Sequence, residues 1–101
     1  MTRDERIQAM NTLLNQQREV LKTLNDALDA LEAHRDDYAT LIDYYYSDDY
    51  FVDLEAADNG EISEDISQEV VSEDAIYNVM VQQQETSLRL LEQALANLKQ
   101  P

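Results

Sequence analysis

Cysteine and tryptophan are absent from this 101-residue chain, and glycine and proline occur once each. Without cysteine there can be no disulfide framework and no thiolate metal site, and the composition suits a reducing compartment. Gly60 and Pro101 are the only strong backbone punctuators, so long helices around one central break are expected. The purely apolar runs are far shorter than the ~20 residues of a membrane-spanning helix. The opening Met1-Thr2-Arg3-Asp4-Glu5-Arg6 is charged and leads into no apolar run, which argues against a signal peptide. A chain this short buries roughly 60–65% of its unfolded surface, which leaves no second core to house. One cytoplasmic, soluble domain over residues 1–101 is the expectation.

Basic residues are missing from the whole middle of the chain. No Lys or Arg lies between Asp36 and Leu88, while that window holds Asp36, Asp37, Asp43, Asp48, Asp49, Asp53, Glu55, Asp58, Glu61, Glu64, Asp65, Glu69, Glu73, Asp74 and Glu85. The two flanks hold seven acids and seven bases and cancel, so the window carries the entire formal charge of −15. A basic nucleic-acid footprint is excluded, as is electrostatic docking on an anionic membrane.

What is present in quantity is helical periodicity. Ile7, Met10, Leu14, Gln17, Leu21, Leu24, Leu28, Leu31, Arg35, Tyr38, Ile42 and Tyr45 follow one another in steps of three and four, an a/d heptad pattern. Leu13, Val20, Ala27 and Leu41 fall beside it and widen the stripe, as in a helix with more than one neighbour. The spacing predicts a helix over about 3–46, broken near 34–37, where His34-Arg35-Asp36-Asp37 weakens the pattern. A second seam, Tyr77, Val81, Gln84, Leu88, Leu91, Leu95 and Leu98, predicts a helix over 72–99 opened by Ser72 as N-cap. Each seam contains one glutamine, and in an antiparallel hairpin Gln17 and Gln84 would lie close enough to fix the register. The fold class is therefore all-α: a long antiparallel helical hairpin, three to four helices in all, with an acidic central segment over 47–71 packed against it. Within that segment Ser47-Asp48-Asp49 reads as the cap and acidic first turn of a short helix reaching about Ala57. Asp58-Asn59-Gly60 then reads as a turn, and Ile62, Ile66, Val70 and Val71 can tuck the segment onto the helices.

Catalytic equipment is lacking. The one histidine, His34, sits beside the first seam with no evident acid–base partner, no glycine-rich phosphate loop exists, and Ser47, Ser63 and Ser72 precede acids as caps do. Carboxylates are too numerous for any two to stand out as a glycosidase pair. Glu55 through Ile66 imitates a calcium-binding EF-hand loop at Asn59, Gly60 and Ile62. Ala57 stands where an oxygen ligand is needed and Ile66 where the bidentate glutamate belongs, so no competent cage forms. The sequence thus points to no enzyme, no cofactor and no metal.

The aromatic residues carry more information. Tyr38, Tyr44, Tyr45, Tyr46, Tyr50 and Phe51 crowd into one short stretch. Tyr38 and Tyr45 fall on the seam, and Tyr50 and Phe51 are suited to anchoring the central segment. Three consecutive tyrosines cannot all face one core, so Tyr44 or Tyr46 is expected to be exposed. Exposed tyrosine beside carboxylates is the composition of a recognition surface, because tyrosine supplies rigid contact area and carboxylates accept bidentate bonds from arginine. The candidate partner-binding residues are Tyr44, Tyr46, Asp48, Asp49, Tyr50, Asp53, Glu55, Asp58, Glu61, Glu64 and Asp65.

Glu5-Arg6-Ile7 with Met10, Tyr44-Tyr45, Ser47-Asp48-Asp49-Tyr50, Asp53, Gly60 and above all Val70-Val71-Ser72-Glu73-Asp74-Ala75-Ile76-Tyr77-Asn78 form a pattern. It resembles a family of small bacterial proteins described only as a domain of unknown function, over nearly the whole chain. The sequence departs from that family at Tyr50, where tryptophan is usual, near Ser63, where proline is usual, and at Glu69, where glycine is usual. The resemblance implies a bacterial or phage source and a compact helical fold, and carries no activity with it.

Two functions fit. One is a small helical protein-binding module or regulator that docks a cytoplasmic protein with a basic surface through the Tyr/Asp-rich segment. The other is a nucleic-acid mimic of the anti-restriction or anti-CRISPR type, presenting carboxylates in place of the phosphates of duplex DNA. Direct binding to nucleic acid or membrane is not expected. The width of the first apolar stripe also admits a homodimer.

Overall fold

The computed structural model describes residues 1–100 and contains four α-helices and one 3₁₀ turn, with no strand among the described residues. The protein is all-α. Its contacts divide it into two compact units, Met1–Ala39 and the remainder from Thr40 onward.

The first unit is dominated by α1 (Arg3–Ala33). Thr2 caps it: its Oγ1 accepts the Glu5 amide at 3.1 Å, satisfying one orphan donor of the first turn, and donates to the Glu5 carboxylate at 2.9 Å. Asp4 and Glu5 place negative charge at the positive end of the helix dipole. An exposed Lys22–Asp26 pair at 2.8 Å, four residues apart, adds a few tenths of a kcal/mol. No residue of α1 is buried. Ile7, Met10, Leu13, Leu14, Val20, Leu21, Leu24, Leu28 and Leu31 stand exposed along the stripe that the heptad spacing predicts.

The helix ends at His34, inside the stretch expected to break it, and α2 (Arg35–Tyr45) restarts at once. Asp36 and Asp37 lie in the first turn of α2, where acids favour a new N-terminus over the continuation of the old helix.

The second unit has a small core. Tyr50, Val71 and Ile76 are buried, with Leu41, Ile42, Tyr44, Tyr45, Leu54, Ala57 and Met80 packed around them. Ser47 joins α2 to α3 (Asp48–Asp58) by serving both ends. Its hydroxyl donates to the Tyr44 carbonyl at 2.7 Å and accepts the Tyr50 amide at 3.4 Å. Within α3 the residues Tyr50, Leu54 and Ala57 recur at helical spacing and form the face turned to the core. Past the Asn59 C-cap, Gly60 takes φ +71° while the Glu61 amide bonds the Ala56 carbonyl and the Gly60 amide bonds that of Ala57. This paired closure is the Schellman arrangement, which glycine enters without steric cost.

The chain then runs irregularly to a 3₁₀ turn at Glu69–Val71 and to α4 (Ala75–Leu98). The sequence expectation that Ser72 opens the last helix is corrected here. The Ser72 hydroxyl donates back to the Glu69 carbonyl at 2.6 Å and its backbone is extended, so it closes the 3₁₀ turn. The helix begins three residues later, with Asp74 at the cap position. Val71 and Ile76 are both buried, and the bend between them brings both to the core. Of the four apolar residues expected to tuck the segment in, Val71 does so and Ile62 is half-buried, whereas Ile66 and Val70 are exposed.

Candidate protein-docking surface

The candidate residues fall on α2, the Ser47 turn, α3 and the irregular stretch after Gly60. At the centre lies Tyr50, only 7% exposed, and it makes edge-on contacts with three other rings. The centroids of Tyr44, Tyr45 and Phe51 lie 5.7, 5.2 and 5.8 Å from that of Tyr50, at interplanar angles of 86°, 63° and 72°. Tyr46 extends the chain of rings by a T-shaped contact with Tyr45 at 5.2 Å. Such pairs contribute about 0.5–1.5 kcal/mol each beyond the area they bury. The middle of this ladder is enclosed and its ends are open: Tyr46 is 70% exposed, Phe51 65% and its neighbour Val52 63%.

Tyr44 is half-buried, and its hydroxyl donates to Asp53 Oδ2 at 2.7 Å. Burial, and then the Asp53 carboxylate that holds the proton in this bond, push its pKa up to about 12. Asp53 is half-buried and faces inward to accept this bond. Tyr44, Tyr50 and Asp53 are therefore held within the fold, and their rings and carboxylate are not freely presented to solvent.

Tyr46, Asp48, Asp49, Glu55 and Asp58 are exposed. On α3 the residues Asp48, Val52 and Glu55 form one outward row, and Phe51, Glu55 and Asp58 the next. Glu61, Glu64 and Asp65 are exposed too, on the irregular stretch between α3 and the 3₁₀ turn, and do not extend those helical rows. The outer face of α3 thus alternates acids with two large apolar side chains.

Phe51 and Val52 are the residues that sequence reasoning missed. Of Tyr50 and Phe51, both suited by sequence to anchoring the segment, Tyr50 is buried and Phe51 stands exposed. The Tyr50–Leu54–Ala57 spacing contained the signal, because a helix that buries those three turns Phe51 and Val52 outward.

Over the EF-hand-like stretch, Ala57 packs against the core and Asn59 caps α3. Among the described residues no three His, Asp or Glu side chains are grouped to hold a metal ion. His34, at the helix break, is exposed with its Nδ1 3.7 Å from an Asp37 carboxylate oxygen.

A family profile described as "Domain of unknown function (DUF4298)" matches residues 7–93. The chain belongs to this family. No curated protein and no solved structure matches the chain. The DUF4298 match takes in the whole α1 stripe, the whole aromatic ladder and most of α4, so the outer face of α3 lies inside the family's domain. No helix among the described residues of this DUF4298 protein is long and apolar enough to cross a membrane.

Proposed function

We propose that this DUF4298 protein is a small protein-binding module or regulator of the cytoplasm, docking a partner with a basic surface through Tyr46 and the outer face of α3. The observation that carries this reading is the aromatic ladder: Tyr46 and Phe51 project into solvent while the rings between them are packed on the core. An exposed ring that leans on a buried one loses little conformational freedom on binding, which is how a preorganised anchor gains affinity. Asp48, Asp49, Glu55 and Asp58 around it accept hydrogen bonds from arginine or lysine, and no basic residue of the window competes for them.

The interleaving of Phe51 and Val52 with these acids favours an anchored contact over nucleic-acid mimicry. A phosphate mimic calls for an unbroken acidic ridge, and on α3 the ridge is interrupted by apolar surface.

The test is affinity capture from the source cells with the native protein and with a Tyr46→Ser/Phe51→Ser/Val52→Ser variant whose helical circular dichroism is unchanged. A specific partner retained by the native protein in high salt and lost by the variant is expected. Capture that is equal for both proteins and vanishes in high salt refutes the anchored module and leaves a purely electrostatic contact, because salt screens exposed charges beyond about 8 Å at physiological strength.

A further inference from the structure

The stripe along α1 points to a different partner, since none of its nine large apolar side chains is buried and they stand 38–60% exposed. We propose that α1 pairs antiparallel with the α1 of a second copy of this chain. Area supports an occupant of this size. By transfer energies a large aliphatic side chain carries roughly 60–120 Å² of apolar surface, so nine half-exposed ones hold roughly 300–500 Å². A standard stable interface buries about 800 Å² per partner, a little over half of it non-polar, or about 450 Å². One α1 stripe therefore matches what one side of a stable dimer needs, and it is of the size of the largest apolar patch on an ordinary monomer, which is often functional.

Spacing supports a copy of the same helix. The seam advances in alternating steps of three and four from Ile7 to Leu31, so it maps onto itself when reversed. With the two-fold axis at Glu19, Ile7 faces Leu31 of the copy and Leu14 faces Leu24. Gln17 faces Leu21 near the axis, where the two glutamines lie about one helical turn apart and can reach each other.

Charge decides the direction. The base-free acidic window begins at Asp36, immediately after α1 ends. A parallel pair starts both windows at the same end and sets their carboxylates against one another. An antiparallel pair starts them at opposite ends of helices about 45 Å long, several screening lengths apart. In the same register Arg6 of each copy falls level with Glu32 of the other, while Arg3 falls level with Arg35.

Light scattering on the full chain tests the association, and a dimer at high micromolar concentration is expected. A Leu14→Glu/Leu24→Glu variant with its near-ultraviolet tyrosine signal intact is expected to be monomeric. The absence of native cysteine makes orientation directly readable. Ile7→Cys and Leu31→Cys proteins, mixed and oxidised, are expected to give the mixed disulfide, with neither linking to itself. A monomeric native chain overturns the proposal, because the stripe then has another occupant. Self-linking of Ile7→Cys overturns the antiparallel arrangement.

Discussion

The Tyr44 hydroxyl and the Asp53 carboxylate, nine residues apart in the chain, meet at 2.7 Å and tie the end of α2 to the middle of α3. This bond braces the turn in which Ser47 links the two helices. A hydrogen bond to a charged acceptor contributes about 1.5–3 kcal/mol, and partial exposure places this one toward the lower end.

Tyr44→Phe is expected to lower stability by about 1–2 kcal/mol at neutral pH, and Asp53→Asn by a similar amount. Together the two should cost less than their sum, because they remove one shared interaction. The contribution also has a sign in pH. Tyr44 is raised in the folded state to about 12 from an unfolded value near 10, so the folded form holds its proton after the unfolded form has lost it. The stabilisation is fully present below pH 10 and is lost as pH rises toward 12. Urea denaturation across that range should show the gap between native and Tyr44→Phe proteins closing; a gap that stays constant contradicts the assignment.

Adjacent aromatics on α3 should behave oppositely. Tyr50→Ala empties the centre of a core in which three of the described residues are buried and is expected to cost about 3–5 kcal/mol, enough to unfold the second unit. Phe51→Ser removes a largely exposed ring and its one edge-on contact with Tyr50, and is expected to cost only about 0.5–1.5 kcal/mol. Denaturation followed by tyrosine fluorescence measures both. Equal effects would show that the ladder is not divided into a buried support and an open end.

The two serines flanking this region make a third contrast. Ser47→Ala is expected to cost about 1 kcal/mol and to fray the start of α3, since its oxygen caps that helix. Ser72→Ala should loosen the 3₁₀ turn at Glu69–Val71 and leave α4 starting at Ala75. Backbone chemical shifts distinguish the outcomes, and an α4 that frays in Ser72→Ala protein would restore serine as its cap.

The features legible in the sequence are those whose causes are local. The start of α1 and its end at His34, the Ser47 cap and the positive φ of Gly60 each depend on residues within one turn of the chain. The heptad stripe likewise follows from spacing alone, as does the confinement of all net charge to one window. Where α4 begins was not legible, because the Ser72 hydroxyl has two local uses. The choice is made by the need to bring Val71 and Ile76 to the same core. The site divides in the same way. That tyrosines and acids crowd together is written in the sequence, and so is the impossibility of burying three consecutive tyrosines. Only the tertiary structure decided that Tyr50 is enclosed and Phe51 free, and that Asp53 turns inward to Tyr44. Neighbouring aromatics have nearly equal propensities, and contacts from distant parts of the chain select which one is taken out of water.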